Sequence, residues 1–186
     1  LRRSEDFYVD ELFARAPRLG APLLCALFPR AFLDVNREAE ELDPAMFAEP
    51  LPSGVNSTSA RVRAGFGTIA RVVSQGEEIY ARKLTYAEVS ARIEAHYHPY
   101  HQALARLIAE TRAGFGSCLL IDCHSMPSVG GPFDADAGRA RVDFVLGDAH
   151  GRSAAPGIVA AVEGRLRSLG YSVRRNAPYS GGFITR

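Results

Sequence analysis

The sequence predicts an α/β fold, and two observations lead to that class. Residues 118–121 are a continuous apolar run, Cys-Leu-Leu-Ile, which is typical of a strand buried on both faces of a parallel or mixed sheet. A helical pattern precedes this run: it begins at Thr85, continues through Glu110 and follows a short apolar run within residues 65–73. Together these segments predict a strand–helix–strand crossover, which is the repeating unit of α/β proteins.

The remaining apolar patterns fit the same class. Ser4 begins a predicted helix that has acidic residues in its first turn and an apolar face. Apolar and β-branched runs predict further strands, and an amphipathic helix is predicted between the last two of them. The strands cover residues 31–35, 141–148 and 171–173, and the helix covers residues 156–169.

Length, composition and charge restrict the class of protein. With 186 residues, 47% of them hydrophobic and 23% charged, the chain is typical of one soluble globular domain. The net charge of +1 gives no reason to expect nucleic acid or a membrane surface as a partner. No apolar stretch approaches a membrane span, and no signal peptide is visible. Three cysteines without metal-ligand spacing predict reduced thiols in a cytoplasmic protein.

Polar side chains follow the apolar run 118–121 at the point where its strand is predicted to end. They are Asp122, Cys123, His124 and Ser125. Because the sites of open α/β sheets lie at the carboxyl ends of strands, these side chains predict a site. His124 is suited to be a metal ligand or a general base, and Asp122 is suited to orient its ring. The alternative is a strand end at which Asp122 and His124 only cap the next turn.

Two acidic residues of the predicted first helix are further candidates. Asp6 and Asp10 are four residues apart, so a helix would place them on one face. The alternative is a solvated acidic face that complements the helix dipole.

Two arginines are candidates for binding an anion. Asn36 and Arg37 follow the predicted strand 31–35, and a planar guanidinium beside an amide suits bidentate recognition of a carboxylate. The alternative is a surface ion pair of Arg37 with one of three nearby glutamates. These are Glu38, Glu40 and Glu41. Arg71 is a second candidate, for an anionic ligand or an oxyanion, although a lone arginine is more often structural.

Several residues that often carry chemistry are interpreted as structural. His96, His98 and His101 lack the helical zinc pattern of two histidines four apart with a glutamate between them. Cys123 and His124 are adjacent, so in an extended chain they point to opposite sides and do not form a nucleophile–base pair. We therefore expect Cys123→Ala to leave turnover largely intact.

Five motifs, taken together and in order, carry a resemblance to a known family. They are residues 5–12 (EDFYVDEL), 34–37 (DVNR), 121–125 (IDCHS), 143–148 (DFVLGD) and 176–182 (NAPYSGG). Over essentially the whole chain they resemble the N-formylglutamate amidohydrolase family, itself similar to the zinc carboxypeptidases and aspartoacylases. The resemblance implies a zinc-dependent amidohydrolase that cleaves N-formyl-L-glutamate to formate and L-glutamate in histidine degradation. It also implies one domain over residues 1–186, with a mixed, mostly parallel sheet flanked by helices in a phosphorylase/hydrolase-like (zinc carboxypeptidase-like) arrangement.

The same resemblance implies which residues bind the single zinc ion. His124 matches one zinc ligand and Asp6 another, with Asp10 in reserve. We expect the Asp6 and His124 side chains to lie within about 8 Å, because one ion with ligand bonds of about 2 Å bridges no more. A Pro-His-Ser-Gly stretch with a further ligand is expected before Leu1, and a glutamate general base after Arg186. The sequence is therefore expected to be truncated at both ends.

The resemblance also implies which residues bind the substrate. Asn36 and Arg37 match a pair that holds a substrate carboxylate in the related carboxypeptidases. A loop near the end of the chain is expected to line the pocket. Its candidate residues are Asn176, Tyr179 and Gly181. Arg71 is the residue expected to stabilise the oxyanion.

Two other functions stay open from the sequence. One is a related zinc hydrolase acting on another N-acyl amino acid or on a peptide C-terminus, with the same site and a different pocket. The other is a module that binds a carboxylate without catalysis.

Overall fold

A computed structural model describes residues 4–73, 76–132 and 134–185. The chain is an α/β protein that divides into two compact units, Leu1–Ser125 and Met126–Arg186. None of the helices in the described part of the chain is long and apolar enough to cross a membrane. The expectation of one domain over residues 1–186 stays a prediction.

The first unit is mainly helical. Its α-helices are α1 (Val9–Phe13), α2 (Ala60–Arg63), α3 (Tyr86–Arg92) and α4 (His98–Phe115). Short 3-10 helices cover Ala16–Leu19 and Pro44–Met46, and a π-helical turn, Ile93–Tyr97, joins α3 to α4. Thr85 caps α3: its hydroxyl accepts from the Glu88 amide while the Glu88 carboxylate accepts from the Thr85 amide. The predicted helix beginning at Thr85 is thus confirmed, with a π-helical turn inside it.

The core of the first unit surrounds the segment that carries Asn36 and Arg37. Leu33, Leu42, Ile69, Leu84 and Val89 are each no more than 2% exposed. Backbone bonds tie this segment to residues 67–68, since Asp34 N donates to Thr68 O and Thr68 N donates to Glu41 O, both at 2.8 Å. A Cβ on Gly67 would lie 2.3 Å from Glu41 O, so only glycine allows this approach.

Two predicted elements of the first unit differ from the structure. Residues 118–121 are not a strand buried on both faces: Leu119 is 53% and Ile121 65% exposed, and no strand of the described residues pairs with them. A strand needs neighbouring strands to satisfy its backbone groups, and none of the described strands lies beside this run, so the predicted crossover from residues 65–73 to residues 118–121 is wrong. Residues 31–35 are mostly buried, but they form turns and irregular chain rather than a strand. In this segment the apolar residues are buried in the core, but their backbone does not pair with a strand.

The first helix is also shorter than predicted. Ser4 does not cap it; α1 begins at Val9, after Tyr8 in the left-handed conformation with φ 62°. Asp6 precedes the helix, so the expectation that Asp6 and Asp10 share a helix face is wrong. The carboxylate of Asp6 instead accepts from the backbone amide of Ser125, in a distant part of the sequence.

The second unit contains one strand–helix–strand crossover. Strand β1 (Phe144–Leu146) pairs in parallel with β2 (Val173–Arg175), and α5 (Pro156–Ser168) connects them. Phe144 is opposite Val173 in this register, and Val173 and Val159 are buried. The predicted helix is confirmed, and the two predicted strands are confirmed with shifted ends. The observed sheet is small and parallel, with two strands among the described residues.

Candidate active site

Asp6 and His124 form the centre of the candidate site. Asp6 Oδ2 lies 3.1 Å from His124 Nδ1, and Asp6 Oδ1 accepts from the backbone amide of Ser125 at 3.0 Å. The structure therefore brings together two side chains 118 residues apart, well within the expected 8 Å. Their role as metal ligands stays a prediction.

Asp122 contacts the other nitrogen of the same ring. Asp122 Oδ2 lies 3.1 Å from His124 Nε2, so the imidazole is held between two carboxylates. Burial alone would lower the pKa of His124, but hydrogen bonds and charges from Asp122 and Asp6 outweigh it and raise the pKa to about 9. Burial likewise opposes ionisation of Asp6, yet the bond to His124 and the charges of His124 and Arg30 lower its pKa.

Asn36 contacts both members of the Asp122–His124 pair. Its Nδ2 donates to Asp122 Oδ2 at 2.6 Å and lies 3.1 Å from His124 Nε2. Its own backbone amide donates to Asp34 Oδ1 at 2.9 Å, and the residue is 5% exposed. The structure thus brings Asn36 to the metal-ligand candidates, while its predicted role in substrate binding stays a prediction.

Arg30 is a member of the site that the sequence analysis did not identify. Its Nη1 donates to Asp6 Oδ2 at 3.3 Å, and its Nε donates to Asp34 Oδ2 at 3.0 Å. Burial opposes the charge of Arg30, but Asp34 and Asp6 outweigh it and raise its pKa. The sequence carries a signal for the pair with Asp34, four residues away, but none for the contact with Asp6.

Arg37 is held by the protein on several sides. Nε donates to Phe66 O at 3.1 Å, Nη1 donates to Asn36 O at 2.8 Å, and Nη2 lies 3.4 Å from Asp34 Oδ2. Its side chain is 12% exposed, and burial lowers its pKa. The alternative of a surface pair with a nearby glutamate is wrong, because Asp34 is the acidic partner. Whether Arg37 also binds a substrate carboxylate stays a prediction.

Arg71 lies in a different group of charges. Its Nε donates to Asp43 Oδ2 at 2.8 Å, and its Nη1 lies 3.5 Å from Glu78 Oε1. Within the described residues we find no contact of Arg71 with Asp6, Asp122 or His124. Its predicted role at an oxyanion stays a prediction, and Arg30 is the arginine that the structure brings to Asp6.

The loop candidates Asn176, Tyr179 and Gly181 lie in the second unit. Asn176, with φ 54°, donates from Nδ2 to Asp148 Oδ1 at 2.7 Å, and its Oδ1 accepts from the Asp148 amide at 3.0 Å. The Tyr179 ring lies 5.3 Å from the Arg141 guanidinium, and burial raises the pKa of Tyr179. Gly181 has φ 134°, a conformation that L side chains rarely adopt. These contacts give the loop a fixed shape; its predicted role at a pocket stays a prediction.

The three clustered histidines have structural contacts. The ring of His96 lies 5.2 Å from that of Phe28 and 5.5 Å from that of Phe32. His98 Nε2 lies 3.5 Å from Glu94 Oε1, and His101 Nε2 donates to Val35 O at 2.9 Å. These contacts agree with the interpretation of all three residues as structural.

Cys123 has the properties of an unreactive thiol. Burial raises its pKa to about 11, with smaller contributions from Asp122 and Cys25. A thiolate is the nucleophilic form, so a raised pKa disfavours a cysteine hydrolase.

The two central donors fit part of a zinc site. Bonds of about 2.05 Å at tetrahedral angles place neighbouring donor atoms about 3.3 Å apart, close to the 3.1 Å between Asp6 Oδ2 and His124 Nδ1. Asp122 on Nε2 matches the carboxylate that often orients a metal-binding histidine. Nevertheless, no group of three or more His, Cys, Asp or Glu side chains in the described part of the chain could hold a metal ion. The described residues therefore offer two ligands of a set that needs more.

Comparison with known proteins identifies relatives along nearly the whole chain. An N-formylglutamate deformylase of Pseudomonas putida is 29% identical over 185 residues, which are 97% of this chain and 62% of that protein. An N-formylglutamate deformylase of Pseudomonas aeruginosa is 32% identical with the same coverage. The crystal structure of N-formylglutamate amidohydrolase from Ralstonia eutropha JMP134 superposes with a TM-score of 0.86 and 40% identity, over 97% of this chain and 64% of that one.

The chain spans 62% of the length of the two curated relatives. The family profile of N-formylglutamate amidohydrolase matches residues 1–186. Because this match covers the whole sequence, the chain belongs to the N-formylglutamate amidohydrolase family.

Proposed function

We propose that the protein hydrolyses N-formyl-L-glutamate, breaking its formamide C–N bond to release formate and L-glutamate. Family membership and the names of the relatives support the reaction. The observation that carries the proposal to particular residues is the 3.1 Å contact of Asp6 with His124, beside Arg30. This contact joins two side chains that come from motifs resembling those of the family.

We also propose that the reaction depends on zinc, with Asp6 and His124 as two of its ligands. When bound, zinc would polarise the formyl oxygen and acidify a water molecule. The tetrahedral spacing of the two donors supports the proposal. In this arrangement Asp122 holds His124 Nε2–H, which directs the lone pair of Nδ1 towards Asp6.

The arginines supply the positive charge that a dicarboxylate substrate requires. N-formylglutamate carries two carboxylates, and each needs a charged or hydrogen-bonding partner when it leaves water. Arg30, 34% exposed and bound to Asp6, is suited to stabilise negative charge that develops at the formyl oxygen. Arg37 is the proposed partner of a substrate carboxylate, with its guanidinium already aligned by Phe66 O and Asn36 O.

Steady-state release of formate tests the activity. The protein is assayed with N-formyl-L-glutamate, with N-acetyl-L-glutamate and with a peptide that ends in glutamate. We expect the formyl substrate to have the highest kcat/KM and His124→Ala to lower it by at least about 100-fold, as the loss of a metal ligand or base would. His98→Ala is the matched control, because the His98 side chain is 44% exposed and contacts Glu94 and the Tyr97 ring rather than Asp6 or Asp122. Faster cleavage of the other substrates would favour a related hydrolase, and binding without turnover would favour a carboxylate-binding module.

Three further parts of the proposal rest on family membership: the type of sheet, the class of ligand and the cellular location. We propose that the parallel β1–β2 pair belongs to a mixed, zinc carboxypeptidase-like sheet, which a crystal structure of the protein would test. We also propose a small-molecule substrate as the ligand and the cytoplasm as the location. The three free cysteines support that location, and fractionation of cells that express the protein would test it.

A further inference from the structure

We propose that Asn36 is a positioning residue, which orients the His124 ring through Asp122, rather than a group that binds the substrate. The inference rests on the proposed hydrolysis of N-formyl-L-glutamate. It concerns how a residue of that site acts, and no motif or family name assigns this role.

The first support is the direction of the Asn36 amide. Nδ2 lies 2.6 Å from Asp122 Oδ2 and 3.1 Å from His124 Nε2. The amide nitrogen donates to Asp122, the same carboxylate that holds His124 Nε2–H, so Asn36 acts on the ring through Asp122. Asn36, Asp122 and His124 therefore form a closed triangle on the side of the ring opposite Asp6.

The second support is burial. Asn36 is 5% exposed, whereas the Arg30 side chain, on the Asp6 side of the ring, is 34% exposed. A substrate that replaced the contacts of Asn36 would have to break a short, charge-assisted bond to Asp122 inside the protein. The structure therefore favours a fixed role for this amide.

The third support is that Asn36 itself is clamped. Tyr97 Oη donates to Arg37 O at 2.7 Å, and His101 Nε2 donates to Val35 O at 2.9 Å. These carbonyls flank Asn36 on both sides, and the Asn36 amide is bound to Asp34 Oδ1 at 2.9 Å. The backbone at Asn36 is thus held at three points.

The clamp comes from the π-helical turn between α3 and α4. Tyr97 is the last residue of this turn, and His101 lies in the first turns of α4. The two rings pack against each other with centroids 4.2 Å apart and planes inclined by 36°, which fixes one against the other. A π-helical turn shifts the side chains that follow it around the helix, and such turns are frequent at functional sites. The turn therefore brings two donors to one face, where they meet the loop that carries Asn36.

Steady-state kinetics separate positioning from substrate binding. We expect Asn36→Ala to lower kcat for N-formyl-L-glutamate by about 10–100-fold, the typical effect of losing a partner of a metal-binding histidine, with KM changed by less than about twofold. Asn36→Asp should lower kcat further, because it places a second carboxylate against Asp122. Asn56→Ala is the matched control, since the Asn56 side chain contacts Glu38 at the surface. A rise in KM with kcat unchanged would overturn the proposal.

A second measurement needs neither zinc nor substrate. The chain has five histidines, and ¹⁵N-histidine labelling reports the two ring nitrogens of each. We expect Asn36→Ala to move the His124 ring signals and to leave His96, His98 and His150 unchanged. Unchanged His124 signals would overturn the proposal even if the protein had no deformylase activity. If the signals move and no activity is found with any substrate, the proposed function fails while the positioning role stands.

The two side chains that hold the backbone beside Asn36, Tyr97 and His101, allow a further test. This test removes one backbone contact without changing Asn36 itself. Tyr97→Phe loses the bond to Arg37 O and should lower kcat in the same direction as Asn36→Ala, by a smaller factor of about 3–10. Tyr86→Phe is its control, because the Tyr86 hydroxyl has no hydrogen bond among the described residues. Equal kinetics for Tyr97→Phe and the native protein would contradict the claim that the Tyr97 contact holds Asn36 in position.

Discussion

Each of the two arginines at the site serves two purposes, and this distinguishes them from surface charges. Arg30 joins Asp6 to Asp34, so it ties the central carboxylate to the segment that carries Asn36. Arg37 binds two backbone carbonyls as well as Asp34. A guanidinium can do this because its five donors are arranged in a rigid plane.

Arg37→Ala is expected to lower both activity and stability. Removing a charged partner of a substrate carboxylate should reduce kcat/KM by about 100-fold, and leaving Phe66 O and Asn36 O without their donor should cost about 1–3 kcal/mol of unfolding free energy. Arg37→Lys should not restore either, because an ammonium lacks the planar fork. Urea unfolding and kinetics on the same samples measure the two effects.

The control for Arg37→Ala is Arg106→Ala, an exposed arginine whose nearest acidic partner, Glu110, is 3.8 Å away. We expect it to change the unfolding free energy by less than about 0.5 kcal/mol. Zinc content should stay the same in Arg37→Ala. If Arg37→Ala had native kinetics but lower stability, Arg37 would have a structural role only, and its proposed role in substrate binding would be wrong.

Arg30→Ala tests the arginine that the sequence analysis missed. We expect kcat/KM to fall by about 100-fold, the typical effect of losing a group that stabilises an oxyanion, and more than it falls in Arg71→Ala. The physical reason is position: Arg30 contacts Asp6, whereas Arg71 contacts Asp43 and Glu78. A larger effect of Arg71→Ala would restore the original assignment of the oxyanion role to Arg71.

At the scale of secondary structure, the start of α3 is the best-defined helix end. Thr85 and Glu88 cap each other, and Arg82 Nη1 donates to Glu88 Oε2 at 3.0 Å. The bond to Arg82 is the largest cause that lowers the pKa of Glu88, to about 2. A well-formed start matters here because this helix continues into the π-helical turn and the Tyr97–His101 clamp.

The cap gives stability a specific pH dependence. The pKa of Glu88 is about 2 in the folded protein and near 4.5 when unfolded, so its stabilising effect is full above about pH 4.5 and is lost as the pH falls towards 2. We therefore expect Glu88→Gln to be less stable than the native protein at pH 6 and the difference to shrink by pH 3. Urea unfolding at both pH values measures it. A constant difference, or the same behaviour in the exposed control Glu110→Gln, would contradict this assignment.

Thr85→Ala is a second test of the same helix end. Loss of the capping hydroxyl should cost about 1 kcal/mol, and Thr85→Ser should recover most of it. Circular dichroism during urea unfolding measures this cost. An effect near zero would mean that packing of buried Val89 and Ile93 alone holds the helix.

At the scale of the whole molecule, the proposed metal links sequence-distant parts of the first unit. Asp6 and His124 lie at opposite ends of that unit in sequence, so an ion that both bind would close a long loop of chain. Metal binding to the folded state alone must raise stability by mass action.

Zinc is therefore expected to raise the unfolding midpoint of the protein. At a free zinc concentration of 100 times Kd the gain is about 2.7 kcal/mol, and EDTA should remove it. His124→Ala should abolish most of the gain, whereas His98→Ala should retain it. Thermal unfolding with and without zinc measures the effect. A gain that His124→Ala does not change would show that zinc binds elsewhere.

The sequence by itself determined the class, the family and the main motif. Local patterns were sufficient for the helix that begins at Thr85, for α5 and for the strands β1 and β2, because period and capping are properties of neighbouring residues. The order of five motifs was sufficient for the family, which the profile match confirms. His124 and Asp6 were also identified from their motifs, although the supposed helical position of Asp6 was wrong.

Only the tertiary structure decided how the site is assembled. The contact of Asp6 with His124 spans 118 residues and that of Asn36 with Asp122 spans 86, and no local pattern records either. Arg30 enters the site for the same reason, through Asp6, while Arg71 pairs with Asp43. Hydrogen bonds and ion pairs depend on distance in space, whereas a motif records only which side chains are available. The sequence therefore supplied the candidates, and folding decided which of them meet.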